Sequence, residues 1–100
     1  MAEFIRTQAY ADWINGLKDL KGQARILAKV RTFEVTGHPG DAKPIGDGVM
    51  EMRFDFGPGY RVYYIVLGRT VILLGGDKGS QVKDIRTAKA FAIYWKGQKL

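Results

Sequence analysis

Two arginines and a glutamate stand at alternating positions around a glycine-proline turn: Glu51 and Arg53 before Gly57-Pro58-Gly59, and Arg61 after it. Such a turn pairs its flanking strands antiparallel. If the register sets Arg61 and Tyr63 on the Glu51/Arg53 face, one acid, two guanidiniums and a phenol converge on one β-ribbon. Guanidiniums grip phosphodiester oxygens bidentately and offset the charge that develops in its transition state. Charged residues at alternating positions also read as the solvent side of a strand, and that reading suits Asp55. The large apolar and aromatic residues flanking Arg61 favour a functional role there. Lys78 offers a further cation within Gly75-Gly76-Asp77-Lys78-Gly79-Ser80, which reads as a strand-to-helix turn with N–H groups open to an anion. The spacing is not that of a Walker A loop. An ordinary turn with glycines at positive φ is the competing reading.

The elements that must hold these residues read as β-α-α-β-β-β-α. That order is an α+β domain with a small, mostly antiparallel sheet, an N-terminal helical hairpin and a C-terminal helix. Residues 2–6 suit an opening strand. Tyr10, Trp13, Ile14 and Leu17 form the stripe of a first helix capped by Thr7; Ile26, Val30 and Phe33 mark a second, after a break near Lys21-Gly22. Arg25 and Lys29 lie one turn apart, off that stripe. Residues 36–48, rich in glycine and proline and containing His38, read as a loop with a solvated histidine. Strands follow over Val49–Phe56, Tyr60–Leu67 and Thr70–Leu74, the last ended by Gly75-Gly76. Ser80 suits the cap of a final helix from Gln81 to Trp95. Its inner arc holds Ile85, Ala88, Phe91, Ala92 and Trp95, and its outer arc Lys83, Arg86 and Lys89. Of Tyr60, Tyr63 and Tyr64, at least one is expected to face outward, where it stacks on a base or donates a hydrogen bond.

Composition narrows the chemistry. The 100 residues suit one domain, 1–100, with one core. There is no cysteine and one histidine, which excludes disulfides, thiol nucleophiles, zinc-finger and iron–sulfur sites, and the sequence offers no metal cluster. No cofactor is expected. The longest apolar run, Val71–Leu74, is too short for a bilayer, and the N-terminus lacks the apolar core of a signal peptide. The expected home is the cytoplasm, with no membrane partner. Lys+Arg 16 against Asp+Glu 10 gives +6, a charge that suits an anionic partner. The excess sits in residues 78–100 and in the stretch holding Lys18, Lys21, Arg25, Lys29 and Arg31, which reads as a solvated helical face or as a contact to RNA backbone.

Three segments together are similar to the RelE/ParE toxins of bacterial type II toxin–antitoxin systems, in particular the HigB-like addiction module killer proteins. They are Gly48-Val49-Met50-Glu51-Met52-Arg53-Phe54, Phe56-Gly57-Pro58-Gly59-Tyr60-Arg61-Val62-Tyr63-Tyr64, and Leu73-Leu74-Gly75-Gly76-Asp77-Lys78. Gly40-Asp41-Ala42-Lys43 and Asp84-Ile85 match the same pattern, so the resemblance spans essentially the whole chain. It implies a RelE-like fold and a toxin that cleaves mRNA in the ribosomal A site. It also implies a cognate antitoxin, typically a helix-turn-helix protein, through which alone operator DNA is bound. By position Arg61, Arg53 and Lys78 take the family's basic catalytic places. Glu51 occupies a place that is basic in RelE, and is the available base. Tyr63, Lys43, Lys18, Lys21, Arg25, Lys29, Lys83, Arg86 and Lys89 are the candidate contacts to RNA and ribosome. The stretch Gly79–Asp84 lacks the tyrosine or histidine that such toxins carry near the end of the site, which leaves the acid and base open.

On this reading the 2′-OH of a nucleotide attacks its own 3′-phosphate without a metal, giving a 2′,3′-cyclic phosphate and a 5′-OH. Alignment of the RNA by the ribosome supplies much of the rate. Two other readings stand beside it: a ParE-like DNA gyrase inhibitor without nuclease activity, and a non-enzymatic basic module that binds RNA or an acidic protein through the Lys83/Arg86/Lys89 face.

Overall fold

The computed structural model describes residues 3–78 and 82–98, the side chains of 82–84 aside. Strand β1 (Glu3–Arg6) pairs parallel with β5 (Thr70–Asp77). Thr7 then turns the chain into α1 (Gln8–Asn15): its hydroxyl accepts from the Tyr10 N–H and donates to the Leu73 carbonyl. One side chain thus caps a helix and ties it to the sheet. Asp19 caps α2 (Leu20–Thr36) by accepting from the Gly22 N–H at 2.9 Å, and Gly37 closes that helix in the left-handed conformation. The helical break therefore falls over Gly16–Asp19, not at Lys21-Gly22. Gly22 lies inside α2 for a different reason: a Cβ there would come within 2.6 Å of the Asp19 carboxylate and 2.9 Å of the Tyr60 ring.

The expected loop over 36–48 holds a strand, β2 (Ala42–Gly46), joined to β3 (Val49–Arg53) by Asp47-Gly48, both at positive φ. An Asp-Gly pair between extended segments is a strong hairpin signal, and here it is obeyed. Strand β4 (Arg61–Leu67) follows the glycine-proline turn and runs antiparallel to β3. The five strands form one mixed sheet in the order β1-β5-β4-β3-β2, and α3 (Val82–Lys96) ends the fold. The molecule is an α+β fold with five strands and three helices among the described residues. None of those helices is long and apolar enough to cross a membrane.

Helices cover both faces of the sheet. Beneath α1 and α2 lie Met52, Phe54, Val62, Tyr64, Val71 and Leu73, packed against Tyr10, Ile14, Ile26, Val30 and Phe33. Beneath α3 lie Val49, Tyr63, Ile65, Ile72 and Leu74, packed against Ala88, Ala92 and the half-buried Ile85, Phe91 and Trp95. The two-residue period of β3 and β4 thus serves two different cores. The stripes expected on the three helices face these cores, with Trp13, Ile85, Phe91 and Trp95 half-buried, while Leu17, expected on the first helix, is buried just beyond the end of α1. Ser80, the expected cap of the last helix, lies outside the described residues.

Candidate functional site

On the α3 face the register builds two adjacent rows. Lys43, Glu51, Tyr63 and Gly75 are successive partners across β2, β3, β4 and β5; one step along, Arg53, Arg61 and Asp77 are partners across β3, β4 and β5. The four side chains expected on one ribbon therefore do share a face, and Asp77 joins them. Diagonal contacts link the rows. Arg61 Nη1 lies 3.6 Å from Glu51 Oε2, and the Tyr63 hydroxyl donates a hydrogen bond to Asp77 Oδ2.

This face is not a solvent face at its inner row. Glu51 is 2% exposed and Tyr63 1%, and Asp77, at the β5 end of the neighbouring row, is as deeply enclosed at 3%. A carboxylate buried so deeply needs a counter-charge, and Arg61 supplies it for Glu51, whose Oε1 has no hydrogen-bond partner. Burial, reinforced by the bond to Asp77 and the field of that carboxylate, holds the Tyr63 phenol far above its ordinary pKa, so it stays protonated as a donor. Two expectations change here. Tyr63 is not a surface platform for a base, because α3 and the sheet enclose it. Glu51 does not face solvent as a base; it is the internal counter-ion of Arg61. Nor does any of the three tyrosines face outward, since Tyr60 and Tyr64 are buried against α1 and α2.

The outer row opens to solvent. The side chains of Arg61 and Arg53 are 22% and 41% exposed. They line a cleft of about 220 Å³ with Asp41, Phe54, Asp55, Gly59 and Tyr60. Arg53 donates its backbone N–H to the Asp41 carbonyl, and its guanidinium stands 3.5 Å from the Asp41 carboxylate. The loop between β3 and β4, which forms one wall, is pinned to α2. Tyr60 donates to Asp19 Oδ2 at 3.0 Å, and the Arg25 guanidinium stacks 4.0 Å from the Phe56 ring centroid. The Gly22 N–H and the Tyr60 hydroxyl together hold the Asp19 carboxyl below its ordinary pKa. Burial and that same bond raise the Tyr60 phenol.

The remaining expected residues are scattered. Lys78 is exposed just past the end of β5, one residue beyond Asp77. Gly75 and Gly76 form no anion-cradling turn; both belong to β5, and a Cβ on Gly76 would collide with the Trp13 ring and the Arg61 carbonyl. Lys43 is exposed on β2, while Lys18 and Lys21 are exposed at the start of α2 and before it. Arg25 and Lys29 pack over Phe56 and Phe54, so they are partners of the β3–β4 loop, not a free basic face. Arg86 is exposed on α3, whereas Lys89 points to the β2–β3 turn, 3.6 Å from Asp47 Oδ2. Lys96 donates to the Asp47 carbonyl, a second clasp on that turn. The Lys83 side chain lies outside the described residues.

Three carboxylates of the site have no role legible in the sequence. Asp77 sits in the glycine-rich segment, where only the strand register pairs it with Arg61. Asp41 is brought to Arg53 by β2, a strand whose Asp47-Gly48 turn was its one local signal. Asp19 meets Tyr60 across 41 residues.

No family model matches the chain. A protein of Haemophilus influenzae, named only as an uncharacterized protein, is 40% identical to it over 88 residues, covering 86% of this chain and 88% of that protein.

Proposed function

This chain belongs to one family with that Haemophilus influenzae protein, and we propose that it is a metal-independent endoribonuclease with a RelE-like fold, the toxin of a type II toxin–antitoxin pair. Its substrate is mRNA on the ribosome, in the cytoplasm. Its partner is a cognate antitoxin of the helix-turn-helix kind, through which operator DNA is reached. The resemblance of the three segments around Arg53, Arg61 and Lys78 supports the assignment. The observation that carries it is the direct register of Arg53 and Arg61 at an open cleft. Like charges directly opposite one another on neighbouring strands repel. A phosphodiester entering between them turns that repulsion into two charge-assisted, bidentate contacts.

In this reaction the 2′ oxygen forms a bond to the adjacent phosphorus while the bond from phosphorus to the 5′ oxygen breaks, leaving a 2′,3′-cyclic phosphate and a 5′-OH. Arg61 and Arg53 hold the non-bridging oxygens and offset their growing charge. With Glu51 sealed inside, the proton of the 2′-OH passes to a carboxylate that lines the cleft, Asp41 or Asp55. Lys78, exposed one residue beyond Asp77, the register partner of Arg61, protonates the departing oxygen.

The test is to add the purified protein to a translating extract and map transcript 5′ ends. Cuts within codons on translated transcripts are expected. Arg61→Lys should cut about 10²-fold more slowly, because an ammonium cannot reproduce the guanidinium fork. Lysine is the informative substitution, since alanine would strand Glu51 as an uncompensated buried charge. Intact transcripts together with inhibited gyrase supercoiling would overturn the reading.

A further inference from the structure

The outward side of α2 is apolar where a helix facing water is ordinarily charged. Leu20, Leu27 and Val35 are 71%, 44% and 61% exposed, and Ala24 and Ala28 are exposed with them. At 3.6 residues per turn these five and Arg31 fall within an arc of roughly 100°. The opposite arc, with Gly22, Ile26, Val30 and Phe33, is the buried one. Leu20, Ala24, Leu27, Arg31 and Val35 follow one another in steps of four, three, four and four residues. That is close to the 3.5-residue repeat along which one helix lies against another, and Ala24 leaves room for a close approach. From Leu20 to Val35 this seam is about 22 Å long.

Charge determines what kind of occupant fits. Lys18 and Lys21 are exposed at the start of the seam, and the exposed Arg31 interrupts it between Leu27 and Val35. The two acids of the helix and its cap are already engaged. Asp19 accepts from the Gly22 N–H and the Tyr60 hydroxyl, and Glu34 accepts from Arg6 and Arg31. A second copy would therefore set cations against cations. An anionic bilayer suits a wide apolar face with aromatic anchors, whereas this arc is narrow, aliphatic and split by an arginine.

We propose that the outer face of α2 docks an acidic amphipathic helix of a partner protein, with apolar residues along the seam and carboxylates beside Lys18 and Lys21 and opposite Arg31. Arg31 sets the register, because a helix shifted along the seam would leave a guanidinium against apolar side chains. The seam points away from the sheet, whose far side carries Arg53 and Arg61, so the docked helix leaves their cleft open. Docking here stands whether or not that cleft cuts RNA.

The test titrates a labelled synthetic helix into the full-length protein and follows its fluorescence anisotropy. The probe is about three heptads long, with leucine along its seam, one seam glutamate to meet Arg31, and glutamates on both flanks. Saturable one-to-one binding is expected. Leu27→Glu, a change at an exposed position, should weaken it by about tenfold or more, since it removes a seam contact and sets like charges together. Arg31→Glu should weaken it by about tenfold as well. A second probe with lysine in place of the seam glutamate should restore binding to Arg31→Glu and bind the parent poorly, a coupling that only direct contact produces. Sedimentation of the protein alone and flotation with phosphatidylglycerol–phosphatidylcholine vesicles run in parallel. No binding of the first probe, equal binding by Leu27→Glu, or no rescue by the lysine probe each overturns the proposal. A dimer that Leu27→Glu dissolves gives this face to a second copy, and vesicle binding that Leu27→Glu abolishes gives it to a membrane; either result overturns the proposal too.

Discussion

On β3 and β4, the side chains directed toward α1 and α2 include Met50, Met52, Val62 and Tyr64, while the residues between them, Glu51, Arg53, Arg61 and Tyr63, face the other way. The two sets alternate along the same backbone and share the same hydrogen-bonded ladder. One joins a continuous apolar layer in which Phe4, Phe33 and Tyr64 meet ring to edge. The other begins as core under Ala88 and Ala92 and ends, within two strand positions, in an open charged cleft. A period of two lets the sheet concentrate apolar burial on one side and put ionic chemistry on the other. Rigidity from the first face is thereby passed to the second. Arg53 and Arg61 cannot drift apart without breaking the ladder that also carries Met52 and Val62.

The sharpest way to break this contrast is to injure each face separately. Ile26→Ala, in α2 beneath the apolar layer, should cost about 2–5 kcal/mol in denaturant unfolding, because a fully buried side chain leaves a cavity. Per folded molecule, its RNA cleavage should be unchanged. Arg53→Ala should do the reverse. Its pair with Asp41 is largely exposed, so stability should shift by less than about 1 kcal/mol. Cleavage should fall by roughly one to two orders of magnitude from the loss of a guanidinium clamp. If Arg53→Ala unfolds the protein, or Ile26→Ala removes activity from molecules that remain folded, the division between the faces is wrong.

A smaller effect probes the joint between the faces, where Asp19 caps α2 and receives Tyr60 from the loop beside the cleft. Its carboxyl is depressed below the ordinary 3.8, so the stability it contributes is present above that value and is lost as pH falls through the lower folded value. The melting temperature of the parent should exceed that of Asp19→Asn at neutral pH, and the difference should close in strong acid. A difference independent of pH would show that the charge plays no part. The smallest effect belongs to the clasp on the β2–β3 turn. Lys89→Ala removes a partly exposed ion pair with Asp47 and should change unfolding free energy by less than about 1 kcal/mol.

Local patterns were legible where the cause is local. Thr7 is followed by a helical stripe, and a hydroxyl before such a stripe satisfies open N–H groups. Glycine and proline at 57–59 allowed only a tight return, so β3 and β4 had to pair. Gly22 misled because a Cβ there would meet both the Asp19 carboxylate that caps α2 and the Tyr60 ring, and the ring lies 38 positions away in sequence. Gly76 misled for the same reason: the absent Cβ makes room for Trp13, and the chain continues as strand. Asp41 stood in a matching segment, yet its pairing with Arg53 was hidden because a strand in a glycine-rich stretch carries little apolar alternation.

From the sequence by itself came the order of the elements other than β2, the faces of the helices and the alternation that sorts Arg53 and Arg61 onto one side of the sheet. These follow from periods of two and 3.6 residues, which a chain carries wherever it sits. Tertiary structure alone decided that α3 would cover the inner row of that side. It made Glu51 an enclosed counter-ion, locked Tyr63 to Asp77 and left Arg53 and Arg61 at the open edge. Burial depends on which distant element packs against a face, and a side chain's neighbours along the chain do not specify that.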